Sequence, residues 1–205
     1  MKIIKLLLTS LAMICFSFTA AAEKFMPDDF EKIYEEILTN KEYANLGNPE
    51  GKYVLVEFFD YRCQYCKKNH FQISKLIQEG KLPNVRWISI EAPVLGLKHN
   101  IIAHLVYASK KQNKYKELFE KIATLENPTI TDIENFAKEL EIDKEQLWKD
   151  SADEKIEKVF EKNLALLHKF NFEGVPLMLL NKKVYLGALS EKGIQRVIRE
   201  SNNMD

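Results

Sequence analysis

Eight residues, Tyr53-Val54-Leu55-Val56-Glu57-Phe58-Phe59-Asp60, run with a single internal charge into Tyr61-Arg62-Cys63-Gln64-Tyr65-Cys66. Apolar, β-branched and aromatic side chains at that density fit a strand buried in the middle of a sheet. A helical pattern follows to the stop at Gly80, with Cys66, His70, Ile73 and Ile77 on one face of a 3.6-residue period. Two cysteines spaced C-x-x-C thus fall where a central strand gives way to a helix. The geometry expected is an exposed Cys63 at the helix start and a shielded Cys66 one turn on.

The third cysteine does not compete with this pair. Residues 1–22 begin with Lys2 and Lys5, continue through an apolar stretch from Leu6 to Phe18 and end in Ala20-Ala21-Ala22. That order reads as a secretory signal peptide cleaved near Ala22, its core too short to span a bilayer. Cys15 leaves with it, and the bulky Ile14 before it argues against a lipoprotein site. What remains is about 180 residues, enough for one domain with an insertion. The leader takes two lysines from a chain of 30 basic and 30 acidic residues, so the rest is slightly acidic, which argues against nucleic-acid binding. An exported chain with two cysteines at this spacing has no other disulfide to staple its fold, so the pair reads as chemistry.

Around the junction the chain alternates. Residues 27–46 read as an amphipathic helix with a stripe of Phe30, Ile33, Ile37 and Leu38, broken by Gly47-Asn48-Pro49-Glu50-Gly51. Because the stripe precedes the breaker, segment 23–46 is expected to be a helical extension and a possible homo-oligomerisation element. Folding back on its own domain is the competing reading. Asn84 to Glu91 is a second strand, and a helical block runs from about Leu97 to Phe170. Within it Thr131 and Glu134 suggest a capping box, Asp143 a further cap, and Lys110 to Lys121 a solvated helix face. After Gly174-Val175-Pro176, Leu177 to Leu180 and Val184 to Gly187 pair as a hairpin, and Ser190 caps a last helix through Ile194, Val197 and Ile198. Trp87 and Trp148 read as core. Strands near both ends with helices between them define an α/β sandwich.

Chemistry follows from the junction. Free N–H groups and the positive end of the helix dipole stabilise a thiolate at Cys63, making it the nucleophile, and Cys66 can then attack the mixed disulfide. The alternative is a zinc- or copper-binding module using the same cysteines, which needs about two more ligands. His99 and His104 lie on different sides of a helix, and His70 and His168 stand alone. No cofactor or metal is expected, since the electrons reside on the cysteine pair.

Val54 through Cys66, with Gly174-Val175-Pro176 far downstream, resembles the DsbA-like periplasmic thiol:disulfide oxidoreductases of the thioredoxin superfamily, and within them the subgroup that includes ScsC. The resemblance covers about Gly47 to Ile198. It implies a thioredoxin fold in 47–205, with a helical insertion at about 94–171 between the second and third core strands. It also carries over residue roles. Glu57, six residues before Cys63, matches the acidic residue beneath the active-site pair and would accept the proton that Cys66 loses. Pro176 matches the family's cis-proline, which with Val175 holds an extended substrate strand. Gln64 and Tyr65, between the cysteines, would meet the substrate. The dipeptide lacks the histidine of the strongest oxidants, while Val175 resembles the oxidase branch. His70, one turn past Cys66, could aid the thiolate if protonated, although a packed or solvent-facing histidine is the plainer reading.

The expected function is therefore that of a soluble periplasmic protein disulfide oxidoreductase, an oxidase or an isomerase. It would act on exported proteins with cysteines and be reset by a membrane redox partner of the DsbB-like or DsbD-like kind.

Overall fold

A strand that is apolar at every position but one must be covered on both faces, and Tyr53–Phe59 is so covered. In a computed structural model, which describes residues 25–96, 100–180 and 182–202, this run is β2, the middle of a five-stranded sheet ordered β1-β3-β2-β4-β5. The other strands are β1 (Ala44–Gly47), β3 (Val85–Glu91), β4 (Leu177–Leu180) and β5 (Lys183–Leu186). β2 runs parallel to β3, with Glu57 beside Ser89, and antiparallel to β4, with Glu57 beside Met178. The parallel pair needs a crossover, supplied by α2 (Gln64–Gln78), which begins immediately after Cys63.

Period-two alternation splits the core into two layers. Leu55, Phe59, Trp87 and Met178 face α2 and most of the later helices. Val56, Phe58, Ile88, Ile90, Leu177 and Leu179 face the other side. The first layer is closed by α3 (Ile101–Ala108), α4 (Tyr115–Ala123), α5 (Ile130–Glu139), α6 (Lys144–Ser151), the front of α7 (Glu154–His168) and α8 (Glu191–Asn202). The helical insertion, α3 to α7, lies between β3 and β4, because β1 adds a strand ahead of those expected. No described helix is long and apolar enough to cross a membrane.

The second layer corrects the reading of segment 27–46. The helix there, α1, spans only Phe30–Thr39, and Ala44–Gly47 is an edge strand, β1, paired antiparallel with β3. Phe30, Ile33, Tyr34 and Ile37 are buried against Val56, Phe58, Ile88 and Phe170, so the stripe is covered at home and the exposure that argued for self-association is not there. Gly47 explains why a breaker was visible. It takes φ +67°, and a Cβ would meet the Val85 carbonyl oxygen at 2.7 Å.

Three smaller expectations also shift. The capping box of α5 is Thr129 with Asp132, whose carboxylate accepts the Thr129 N–H, two residues before the predicted Thr131 and Glu134. The stretch from Lys110 to Lys121 is interrupted by Asn113 at φ 57°, and Lys110 lies over the rings of Tyr107 and Tyr115 instead of projecting into solvent. Trp148 is 36% exposed, whereas Trp87 is core. Asp143 caps α6 as expected, its Oδ1 accepting the Gln146 N–H at 3.0 Å. The leader, with Cys15, and His99 lie outside the described residues.

Candidate active site

Cys63 is the N-cap of α2. Its backbone is extended (φ −89°, ψ 111°), its N–H donates to the Asp60 carbonyl at 3.0 Å, and its sulfur accepts the Cys66 N–H at 3.2 Å. A cap oxygen would ordinarily take that amide; here a thiol occupies the place, so the helix terminus acts on sulfur. Cys63 is pulled down to about 7, first by a hydrogen bond from the Cys66 thiol and then by the Cys66 and Tyr65 backbone amides; burial and the Asp60 charge oppose. Cys66 is 0% exposed, and burial pushes its thiol far up, helped by its bond to Cys63 and by the charges of Cys63 and Glu57. Both are free thiols. Cys63 is itself only 9% exposed, less open than expected, because the chain before Pro176 covers it. Gln64 and Tyr65 stand outside, Tyr65 at 69% exposure.

That cover is the Val175–Pro176 pair, whose peptide bond is cis. The Val175 carbonyl oxygen lies 3.4 Å from Cys63 Sγ, across 112 positions of sequence. Pro176 leads directly into β4, and its carbonyl accepts the Gly187 N–H at 2.8 Å, which ties the loop to the end of β5. Sheet register thus sets the distance between the loop and the cysteines, since β4 is bonded to β2 at Leu177 and Phe58.

Glu57 is not a solvated edge residue: it is 0% exposed on the central strand. Its Oε1 accepts from Asn69 Nδ2 at 2.9 Å, and its Oε2 is 3.3 Å from His70 Nδ1. His70 is fully buried, and its ring meets Phe59, Trp87 and Phe119. Sequence reasoning placed His70 on the Cys66 face yet did not join it to Glu57, although strand and helix each displayed one member at a buried position.

Two buried acids that hold the turn before the cysteines went unread. Asp60, 1% exposed, accepts the Arg62 N–H at 2.8 Å and the Leu95 N–H at 3.0 Å, and Asn100 donates to it at 3.2 Å. It binds the turn before Cys63 to the loop ahead of α3. Glu91, at the end of β3, accepts the hydroxyls of Tyr61 at 2.7 Å and Tyr115 at 3.1 Å, joining that turn to α4 of the insertion. Burial raises Glu91 to about 8 against those two bonds and the Lys110 charge. The signal available was an acid ending each of two apolar strands, Asp60 and Glu91, at places where a solvated terminus is the ordinary explanation.

Among the described residues, no three side chains of His, Cys, Asp or Glu converge as a metal site would require. What the geometry does offer is a dithiol at a helix N-terminus, one sulfur near the surface and the other sealed, opposite a cis-proline loop. This is the arrangement of a thioredoxin-fold protein with a redox-type cysteine pair.

A family model described as thioredoxin matches residues 39–200, and the chain belongs to that family. No curated protein matches the sequence. Among solved structures, the chain is similar to a thioredoxin-like oxidoreductase from Silicibacter pomeroyi, with 27% identity, a TM-score of 0.70, and coverage of 82% of this chain and 97% of that one. It is similar in fold to the thiol-disulfide exchange protein alpha-DsbA2 from Wolbachia pipientis, at 21% identity, TM-score 0.68, and 89% and 96% coverage. The catalytic domain of ScsC from Proteus mirabilis gives 20% identity, TM-score 0.70, and 85% and 97% coverage. The resemblance to DsbA-like proteins and the thioredoxin fold with its helical insertion therefore hold.

Proposed function

We propose that the protein is a thiol:disulfide oxidoreductase that exchanges disulfides with exported, cysteine-containing proteins. The observation that carries this reading is the Cys63 sulfur, held at the start of α2 by the Cys66 amide and 3.4 Å from the Val175 carbonyl beside cis-Pro176. A client strand laid along Val175 brings its cysteine sulfur to Cys63 while the buried Cys66 stays out of reach.

In the reducing direction the Cys63 thiolate attacks a client disulfide. One client sulfur leaves with the electron pair of the broken bond, and a mixed disulfide remains. Cys66 then loses its proton and attacks Cys63, breaking the mixed disulfide; the client is reduced by two electrons and the pair is oxidised by two. Glu57 takes the proton from Cys66, being a buried carboxyl group on the adjoining strand. Oxidation of a client is the same sequence reversed. Val175, Gln64 and Tyr65 form the client-facing rim. The leader pattern of residues 1–22 supports export to the periplasm, where a membrane redox partner resets the pair; the direction in which that partner drives it separates oxidase from isomerase.

The experiment is a trap. Cys66→Ala in the mature protein should accumulate mixed disulfides with exported proteins on non-reducing gels, and Cys63→Ala should accumulate none. A folded Cys66→Ala variant with reduced Cys63 that traps nothing overturns the reading. Zinc or copper retained stoichiometrically through purification, with no insulin reduction, would favour the metal-binding module instead.

A further inference from the structure

A buried imidazole either satisfies both ring nitrogens or leaves one polar atom without a partner. In His70, Nδ1 stands 3.3 Å from Glu57 Oε2, while Nε2 is buried with no hydrogen-bond partner. Centroids of Trp87 at 4.3 Å and of Phe59 and Phe119 at 5.3 Å surround the ring. A proton on Nδ1 makes a hydrogen bond to Glu57; a proton on Nε2 alone makes none. The geometry therefore selects the tautomer that points N–H at the carboxyl group.

The other oxygen of Glu57 is held as firmly. Asn69 Oδ1 accepts the Leu189 N–H at 3.1 Å, so the Asn69 amide cannot turn over without losing that bond, and its Nδ2 donates to Glu57 Oε1 at 2.9 Å. Two N–H donors from adjacent residues of α2, one on each oxygen, fix the plane of a carboxyl group on β2. A group that must accept a proton in a moving reaction gains from being held in one orientation.

We infer that His70 is a positioning residue for the resolving step, holding Glu57 through Nδ1–H so that the carboxylate takes the proton leaving Cys66. The inference rests on the reading of Glu57 as proton acceptor given above. In the step, the Cys66 S–H proton passes to Glu57, the Cys66 sulfur bonds to Cys63 Sγ, and the client sulfur departs with the electron pair of the broken S–S bond. Around the His70 ring, β2 presents Glu57, Cys66 lies one turn back on α2, and β3 and α4 bring the Trp87 and Phe119 rings. Tyr61 stands beyond Phe59 and Phe119, at 5.0 and 5.7 Å.

The test measures how fast a preformed mixed disulfide between Cys63 and a cysteine-containing peptide is resolved, across about pH 5 to 8.5. His70→Phe should slow resolution by about tenfold near neutrality and alter the pH profile, with Cys63 alkylation unchanged. His70→Asn, whose amide N–H falls near the Nδ1 position, should recover most of the rate. In a Glu57→Gln background, His70→Phe should add nothing further. Wild-type resolution in His70→Phe, with Glu57→Gln slow, overturns the role of His70 and leaves that of Glu57 standing. Wild-type resolution in Glu57→Gln overturns the proton-acceptor reading itself and the inference with it. Should His70→Phe fail to fold, nitrogen NMR of the reduced wild-type ring decides: protonation at Nδ1 supports the inference, and at Nε2 alone overturns it.

Discussion

The Cys63 sulfur gains from three N–H or S–H donors and loses from burial and one nearby anion, and the largest favourable contribution is the thiol of Cys66. Its alkylation should therefore rise with pH about a midpoint near 7, and Cys66→Ala should move that midpoint upward, toward the free value of about 8.5. Stopped-flow thiol labelling checks both; an unmoved midpoint in Cys66→Ala would leave the backbone amides as the whole cause. Because the folded value lies below the unfolded one, this stabilisation of the dithiol form is present above about pH 8.5 and is lost as pH falls through 7. Glu91 has the opposite sign. Burial raises it from 4.5 to about 8, so its contribution to stability is full below 4.5 and is lost as pH rises through 8. Glu91→Gln, which stays neutral while still accepting the Tyr61 and Tyr115 hydroxyls, should leave stability at pH 5 nearly unchanged. At pH 8.5 it should raise stability by roughly 4 kcal/mol, as read from urea denaturation. Of these groups only the cysteines, Glu57 and Pro176 were legible, because spacing and family pattern mark them. Asp60 and Glu91 become distinctive only when the fold brings Leu95, Asn100 and Tyr115 to them from 24 to 40 positions away.

At the scale of elements, periodicity located nearly every helix and strand after Gly51, and it failed where a short edge strand followed a helix without a break. Ala44–Gly47 has four residues, too few to show alternation, and its partner β3 lies some forty positions on. The exposed stripe expected of segment 27–46 is absent for a related reason: a run of Phe30, Ile33 and Ile37 states that a face is buried and does not state against what. The supplying surface is Val56, Phe58, Ile88 and Phe170, drawn from two central strands and the end of the insertion. The capping box moved because Thr129 and Thr131 both have an acid three residues on, and only Thr129 has the extended backbone of an N-cap, at φ −118° and ψ 165°. Thr129→Ala should therefore destabilise α5 by about 1 kcal/mol, whereas Thr131→Ala at the exposed second helical position should cost about 0.3 kcal/mol or less. Equal losses from the two substitutions in chemical denaturation would return the cap to Thr131.

On the scale of the whole molecule, α1 and the segment that follows the helical insertion hold each other. Phe30 of α1 meets Phe170, just past α7, at 6.2 Å, and Phe170 in turn meets Phe58 of β2 at 5.9 Å. Asp29 pairs with Lys169 and Glu31 with Lys182 on the outside, where such pairs add little. On the other face of the same sheet, α2 is tied to the C-terminal helix region by Lys75–Glu191 at 2.8 Å and by the Asn69–Leu189 bond. The cysteine pair therefore sits at the start of α2, just past the end of β2, on one of two layers that share one set of strands, and neither layer has a sheet of its own to survive on. Loss of the α1 face should reach the active site through β2 as a loss of the whole fold. Ile37→Ala, a cavity at a position with 0% exposure, should cost about 3 kcal/mol. Far-ultraviolet dichroism and labelling of the sealed Cys66 should report the same shifted midpoint, as a single cooperative transition requires. A chain started at Gly47, lacking α1 and β1, should fail to bury Cys66 at all. If it instead folds with a protected Cys66 and active exchange, the first layer is independent of the second and α1 is an appendage after all.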